Sequence, residues 1–589
     1  MPPEAPKEDQ PTMFGTKRKA AEGADKPLKK PKGDFPAHKE SKDEERYGII
    51  DREFYPPEMT NARCAQYNNN EIQRPIELLD NALRETATER EHTDVHHAVV
   101  HWFKCDLRTK DNKALHLASE KAKAHGVPLI CIYIVSPQDF KAHVTSAVRV
   151  DFILRTLEVL KQDLARLDIP LYVETVEIRK SIPSRIFELC EKWGASHLFA
   201  NKEYEVDELR REARMVREGL RKGIALSVEP DTCVVAPGEL KSGSGTQYSV
   251  YSPWFRAWMS YLHTHPHHLD LYPPPASNPP STRNDHKELF DTPIPQAPAN
   301  KSLTDEERKR FSSLWPPGEE EANERLAKFL QYRVEAYKDK RNFPAANATA
   351  VVSLHLAAGT LSARTAVASA RSANSTKKLD GGNPGIAGWI SEVAWRDFYK
   401  HVLTHWPFIC MNKSYKPEYT NIEWRYDTEQ FEAWCQGRTG FPFIDAGMRQ
   451  LNHTGYMHNR ARMAVASFLA KDLLIDWRMG ERYFMEHLID GDFASNNGGW
   501  GFSASSGVDP QPYFRIFNPT LQSERFDPDG EYIRKWVPEL EDVKGKAIHD
   551  PFNRGGKVKG GYPKPMVVHK ESRDRALQRY KEGLGRDTA

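Results

Sequence analysis

Three stretches of the chain carry residue types that could do chemistry. The first reads Asp490-Gly491-Asp492-Phe493-Ala494-Ser495-Asn496-Asn497-Gly498-Gly499-Trp500-Gly501-Phe502. Two acids, two amides and four glycines beside aromatic residues suit a tight loop whose backbone closely approaches a polar ligand; they also suit a helix-ending turn with solvated acids. The second, Asn459-Arg460-Ala461-Arg462-Met463, opens an amphipathic helix, which lets Arg462 face a carboxylate such as Asp490 while Arg460 points out toward phosphate. The third is a crowd of tryptophans: eight of the 13 (389, 395, 406, 424, 434, 477, 500 and 536) fall within residues 387–536, where even spreading predicts about three. A single buried Trp is core by default, yet such a set can also stack on a flat ligand or relay single electrons. No Ser-His-Asp order, HExxH helix, P-loop or metal cluster is visible, so hydrolysis and phosphoryl transfer lack machinery, and a bound cofactor must carry any chemistry.

The elements that hold these residues follow from periodicity. The 589 residues exceed one hydrophobic core. Residues 1 to about 46, rich in Pro, Lys, Glu and Asp, read as a disordered tail, the first part of a tail and extension placed at 1–96. Its basic clusters Lys17-Arg18-Lys19 and Lys29-Lys30-Pro31-Lys32 match a bipartite nuclear import signal, or else a solvated charge run. From residue 97, apolar runs at 97–103, 129–135, 171–176, 197–200 and 225–228 alternate with helical patterns at 112–125, 147–167, 182–193 and 206–222. That order predicts a Rossmann-like parallel sheet over 97–232, although Lys104-Cys105-Asp106-Leu107-Arg108 stands where a GxGxxG would follow the first strand. Nine prolines from Pro266 to Pro298 mark an irregular interdomain linker, placed at 233–303. Residues 304–589 read as an all-α domain, with helices over 320–340, 350–373, 386–405, 445–452, 458–477 and 481–488. The net charge of +2 decides nothing about polyanions, but Val543–Ala589 carries 12 Lys/Arg against 5 Asp/Glu. Seven cysteines with no CxxC pair argue for a reducing compartment, and no secretion signal or membrane span is visible.

Longer motifs carry a resemblance. Trp389-Ile390-Ser391-Glu392-Val393-Ala394-Trp395-Arg396-Asp397-Phe398-Tyr399, Gly440-Phe441-Pro442 with Asp445-Ala446-Gly447-Met448-Arg449-Gln450-Leu451, Gly455 through Met463, the Asp490–Trp500 stretch and Pro512 through Pro519 resemble the catalytic domain of class I cyclobutane pyrimidine dimer photolyases, within the photolyase/cryptochrome family. The likeness extends back to Trp102-Phe103 and Asp106-Leu107-Arg108, leaving only the N-terminal tail outside it.

The resemblance implies FAD, folded in a U within the helical domain and acting, when reduced and anionic, as a light-driven electron donor. It assigns Tyr337, Thr349 and Ser353 to the phosphates and ribityl chain, Arg462 with Asp490 to the isoalloxazine ring, Asp492 to a nearby contact and Asn496 to flavin N5. Thr349-Ala350-Val351-Val352-Ser353 departs from the family's Thr-Ser-Arg-Leu-Ser, leaving backbone N–H groups at a helix start to hold phosphate. The substrate implied is a pyrimidine dimer in double- or single-stranded DNA, flipped out of the stack as the general chemistry of photolyases requires. Glu392 and Trp395, at i and i+3, share one helix face and bind and stack on the dimer; Met463 and Asn459 line the cavity, and Phe502 stands where relatives often carry Trp. Arg341, Arg460 and Arg515 match DNA-phosphate contacts, which makes binding salt-sensitive and largely independent of sequence. Trp500, Trp477 and Trp424 match the family's electron-relay tryptophans, and Glu205 with Cys410 match residues that hold a 5,10-methenyltetrahydrofolate antenna. The implied protein is a monomeric carbon-carbon lyase with no metal, no membrane and no obligate protein partner, located in the nucleus or also the mitochondrion. The competing readings are a cryptochrome-type blue-light photoreceptor and a light-independent nucleic-acid-binding protein; Glu392 with Met463 favours the enzyme.

Overall fold

Strand β1 (Ala98–Phe103) is buried along its whole length because each of its faces meets a helical layer. With the side-chain period of two, Ala98, Val100 and Trp102 enter one core with Phe187 and Met215, while Val99 and Phe103 enter another with Leu115 and Leu157. Four further strands, β2 (Leu129–Val135), β3 (Leu171–Thr175), β4 (Ala195–Asn201) and β5 (Ala225–Glu229), complete a parallel sheet in the order β3-β2-β1-β4-β5. The helices Lys113–His125, Ala147–Ala165, Ile182–Lys192 and Val206–Arg221 cover it. Each strand and helix expected between residues 97 and 232 is present, with ends moved by at most two residues, whereas the helices expected over 320–340 and 350–373 are each broken in two.

This computed structural model describes residues 61–586 together with Arg46, Ile49, Glu53 and Phe54, so both basic clusters of the tail lie outside the described residues. The segment before β1 is more ordered than the reading as a tail and extension. Pro75–Glu85 is a helix whose Leu79 and Ala82 are buried against the Val206–Arg221 helix. The expected linker also contains a packed element: Tyr251–Thr264 is a helix that buries Trp254 and Trp258. Its two prolines-free central turns escape the proline crowding further on, where only short helical turns occur.

The loop after β1 ties the two domains together rather than cradling a phosphate. Asp111 accepts from Arg364 Nε at 2.7 Å and from Thr365 Oγ1 at 2.9 Å. Arg364 Nη2 also reaches Asp231 at 2.7 Å, and Arg108 pairs with the same aspartate. All four charged groups are buried, two from the loop, one from beyond β5 and one from the helical domain. Mutual pairing is what makes such burial tolerable.

After residue 304 the chain is helical and folds around two cores. One gathers Trp254, Trp258, Trp389 and Trp395; the other gathers Trp434, Trp477 and Trp500. The helix expected over 458–477 is interrupted: Asn459–Ser467 passes into a π-helical turn at Phe468–Asp472, Leu474 takes a φ of 55°, and a new helix runs Trp477–His487. Among the described residues no helix is long and apolar enough to cross a membrane. All seven cysteines carry free thiols.

Candidate active site

A cavity of about 350 Å³ opens between the two cores of the helical domain. Its wall gathers residues from distant parts of the sequence: Tyr337, Thr349, Ser353, Glu392, Trp395, Arg462, Met463, Asp490, Asp492, Asn496, Trp500 and Phe502, with Arg341 and Asn459 toward the rim. Every residue that the resemblance assigned to flavin or to the dimer pocket itself is therefore on one surface.

The Pro384–His405 helix supplies one wall. Asn383 caps it by accepting from Gly385 N and Ile386 N, and Pro384 pre-sets the first turn. Glu392 and Trp395, one turn apart, face the same space. Trp395 is backed by Tyr251, whose ring lies parallel at 3.7 Å and 9°; Tyr251 Oη is held in turn by Ser391 O at 2.8 Å. Glu392 keeps 26% of its side-chain surface accessible and accepts from Arg341 Nη1 at 2.6 Å. Burial pushes its pKa up to about 7, against the pull of Arg341 and Arg460.

Opposite, Arg462 Nη2 donates to both oxygens of Asp490, at 3.0 and 2.8 Å, and Ser353 Oγ donates to Asp490 Oδ2 at 2.6 Å. The pairing expected of Arg462 and Asp490 is thus present and joined to the segment at Thr349–Ser353. There Val351 holds a φ of 52°, a strained conformation for a β-branched residue, before the short Ser353–Ala358 helix.

Only the start of the Asp490–Phe502 stretch, Asp490 to Asp492, is the expected turn after a helix; the rest is helical. Phe493–Ala504 is a helix with Asp492 as its N-cap, accepting from Ser495 N at 2.9 Å. Two of its glycines, Gly498 and Gly501, serve close packing instead of turning. A Cβ on Gly498 would sit 2.2 Å from the Tyr399 ring, and one on Gly501 would sit 2.8 Å from Gly507 Cα. Asp492 pairs with Lys400 at 2.9 Å. Burial opposes its ionisation, but Lys400 and Arg396 outweigh that and hold the carboxyl below the usual carboxylate range.

Asn496 Nδ2 donates to the backbone carbonyl of Glu481 at 2.9 Å, and Asn497 Nδ2 donates to Glu481 Oε1 at 2.8 Å. A carbonyl only accepts, so this bond fixes the orientation of the Asn496 amide and leaves its Oδ1 to accept from a ligand in the cavity. Glu481 was missed in the sequence, where nothing separates it from a solvated helix acid. Burial raises its pKa to about 7. Tyr251 was missed for a similar reason, since it falls in the expected linker.

Trp500 lines the cavity and lies against Gly480, where a Cβ would sit 2.1 Å from its ring. Trp477 is buried at the start of the same helix as Gly480, and it shares a surface cleft with the half-buried Trp424. A further indole, Trp434, meets Trp500 edge-on at 6.1 Å, is fully buried and donates to Val465 O at 3.1 Å.

The three arginines assigned to DNA differ. Arg515 is exposed beside Phe514, and Arg341 lies at the cavity next to Glu392. Arg460 does not point out. It is buried at 4% exposure, donates to Asn342 Oδ1 at 2.7 Å and lies 4.2 Å from the Phe526 ring centre. Its stem follows the buried face of the Asn459–Ser467 helix, so the alternation read for Arg460 and Arg462 fails. The C-terminal basic excess is partly spent on internal pairs, Arg554 with Glu524 at 2.6 Å among them.

Glu205 and Cys410 meet in a second cavity, between the domains, lined also by Arg478, Glu481 and Phe493. Lys400 joins the two cavities, since its Nζ lies 2.9 Å from Asp492 and 3.9 Å from Glu205. Burial raises the pKa of Glu205.

The larger cavity fits a flavin dinucleotide on its own features. It offers an Arg–carboxylate pair, hydroxyls at Thr349 and Ser353, an amide acceptor at Asn496 and flat aromatic walls. A Cβ on Gly499, which lines the space, would meet nothing within 4 Å, so the backbone there is open to the cavity. Residues 389–582 match the family described as the FAD binding domain of DNA photolyase, and residues 99–277 match the family described as DNA photolyase. Fold and site together define a flavoprotein of the two-domain photolyase type, an α/β sheet domain followed by an FAD-binding helical domain. The chain is 62% identical to the deoxyribodipyrimidine photo-lyase of Neurospora crassa, over 93% of this chain and 91% of that one. It is 38% identical to the Escherichia coli protein of the same name, over 81% and 97%. Among solved structures, a class III photolyase from Agrobacterium tumefaciens superimposes with a TM-score of 0.73 at 33% identity, covering 83% of this chain and 98% of that one. The chain belongs to the photolyase/cryptochrome family.

Proposed function

We infer that this chain repairs cyclobutane pyrimidine dimers in DNA in a light-dependent reaction, as a carbon-carbon lyase with FAD as cofactor. The observation that carries the reading is the single cavity in which Glu392 and Trp395 face the same space as Arg462, Asp490 and Asn496. When bound, reduced FAD supplies on illumination the electron that splits the dimer. The residues do the rest. Trp395, fixed by Tyr251, and Phe502 give the flipped-out bases two aromatic surfaces. Glu392, with a pKa near 7, offers a neutral carboxyl that donates to a thymine carbonyl as negative charge builds there. Asn496 Oδ1, left free to accept by its bond to Glu481, would take a ring N–H of the bound flavin, and Arg462 with Asp490 would hold the ring. Trp500, Trp477 and Trp424 lead from cavity to surface and supply electrons when the flavin is oxidised.

The exposed Arg515, together with Asn459 and Arg341 of the cavity wall, meets the phosphate backbone, while Arg460 acts as a buried support. The second cavity, with Glu205 and Cys410, takes the antenna, a 5,10-methenyltetrahydrofolate. The chain works as a monomer on nuclear DNA; a curated yeast relative, 36% identical, is named mitochondrial. The test is dimer loss from irradiated duplex DNA by the reduced holoenzyme in light and in darkness. Loss in light alone is expected, and equal loss in the dark, or none in either, rejects the reading. Glu392→Ala is expected to lower the repair yield far more than DNA affinity; a pure affinity loss would remove the role assigned to the acid.

A further inference from the structure

Two residues of the segment before the first packed helix line the second cavity, and a third, Glu53, pairs with Lys141 of its wall. Ile49 and Phe54 form part of its lining, opposite Glu205 and Cys410. Ile49 is 4% exposed and packs into the core that holds Trp477 and Trp500. Its carbonyl accepts from Asn412 Nδ2 at 2.5 Å, an anchor on the helical domain. Glu53 is anchored on the other wall: its carboxylate accepts from Gln138 Nε2 at 3.0 Å and pairs with Lys141 of the α/β domain. Lys141 Nζ also lies 5.4 Å from the Phe54 ring centre. Ile49 is thus fastened to one side of the interdomain cleft and Glu53 to the other, with two apolar side chains turned to the space between.

We propose that Ile49, Glu53 and Phe54 form a clasp across the antenna cleft and retain the flat, partly apolar chromophore held there by Glu205 and Cys410. This rests on the reading of that cleft as a folate site. The retaining force comes from Ile49 and Phe54, because the Glu53–Lys141 pair is about half exposed on both sides and such pairs contribute little. Burial of an aromatic face against a conjugated ring, by contrast, removes apolar area from water at both partners. Sequestering the cleft also slows exchange of its contents with solvent without touching the flavin cavity, which none of the three residues lines.

The test uses the full chain with FAD bound, titrated with 5,10-methenyltetrahydrofolate, and reads folate affinity by fluorescence and folate retained through gel filtration by near-UV absorbance. Phe54→Ala and Ile49→Asp are each expected to weaken folate binding about tenfold, equivalent to about 1.4 kcal/mol, with FAD content unchanged in both and the thermal midpoint unchanged in Phe54→Ala, whereas Ile49→Asp also lowers the midpoint because it sets a carboxylate in a buried core. Phe54→Leu restores most of the retention, and Glu53→Gln has the smallest effect. Unchanged or tighter folate binding in both Phe54→Ala and Ile49→Asp overturns the clasp while leaving the antenna reading intact. A wild-type chain that takes up no folate overturns the antenna reading itself, and the clasp with it.

Discussion

Glu392 is held between two influences of opposite sign: burial favours its neutral form and Arg341, 2.6 Å away, favours the carboxylate. If the neutral acid is the working form, repair yield falls as pH rises through about 7. Replacing the guanidinium removes the influence that lowers the pKa, so Arg341→Gln is expected to move that fall to higher pH, read from the pH profile of repair with DNA at saturating concentration. A profile that stays in place or moves lower contradicts the assignment. The same raised pKa has a cost in stability. Between the ordinary value of 4.5 and about 7 the native chain keeps a proton that the unfolded chain has released, so this group's contribution to stability declines as pH rises through that window. At the same scale, Trp500→Phe is expected to abolish light-driven reduction of bound oxidised FAD while leaving repair by the chemically reduced enzyme. Trp434→Phe is expected to leave both, because that indole, although it meets Trp500, is fully buried and is not one of the three relay tryptophans. Transient absorption after a light pulse distinguishes the two.

The elements around the cavity are set by close approaches that only glycine permits. The Trp477–His487 helix passes Trp500 at Gly480, and the Phe493–Ala504 helix passes Tyr399 at Gly498. Gly480→Ala forces overpacking of the ring and is expected to cost about 1–3 kcal/mol, seen as a lower thermal midpoint and poorer FAD retention; an unchanged midpoint with full FAD content contradicts the packing argument. These glycines also explain what a sequence conceals. The strands were legible because both sheet faces are buried and five apolar runs alternate with helical periodicity, each reporting local burial. The Asp490–Phe502 stretch looked like a loop because its glycines and polar residues carry low helical propensity, and the partners that stabilise the helix, Tyr399 and Gly507, lie elsewhere in the chain. The Arg462–Asp490 pair was visible as complementary charge, whereas the inward turn of Arg460 depends on Phe526 and Asn342, which no local pattern announces. Glu481 and Tyr251 became recognisable only through tertiary contacts.

At the scale of the whole molecule, the buried charges of Arg108, Asp111, Asp231 and Arg364 join the sheet domain to the helical domain. Removing one member leaves its partners buried without full compensation, so Asp111→Asn, which keeps the side-chain shape and tolerates the φ of 51° at this position, is expected to destabilise the chain by about 3–5 kcal/mol. A urea midpoint within error of the parent protein would show that the cluster does not couple the domains. The stack of Tyr251 on Trp395 has a different consequence at this scale. One face of the indole is covered and its hydroxylated neighbour is tied to the Ser391 backbone, so, on the proposed role of Trp395, the surface offered to the flipped-out bases is rigid before any nucleic acid arrives. The conformational cost of recognition then falls almost wholly on the DNA, and a duplex whose stacking is already weakened by a lesion meets that cost more cheaply than intact duplex does. On that reading, selectivity for damage needs no reading of base sequence.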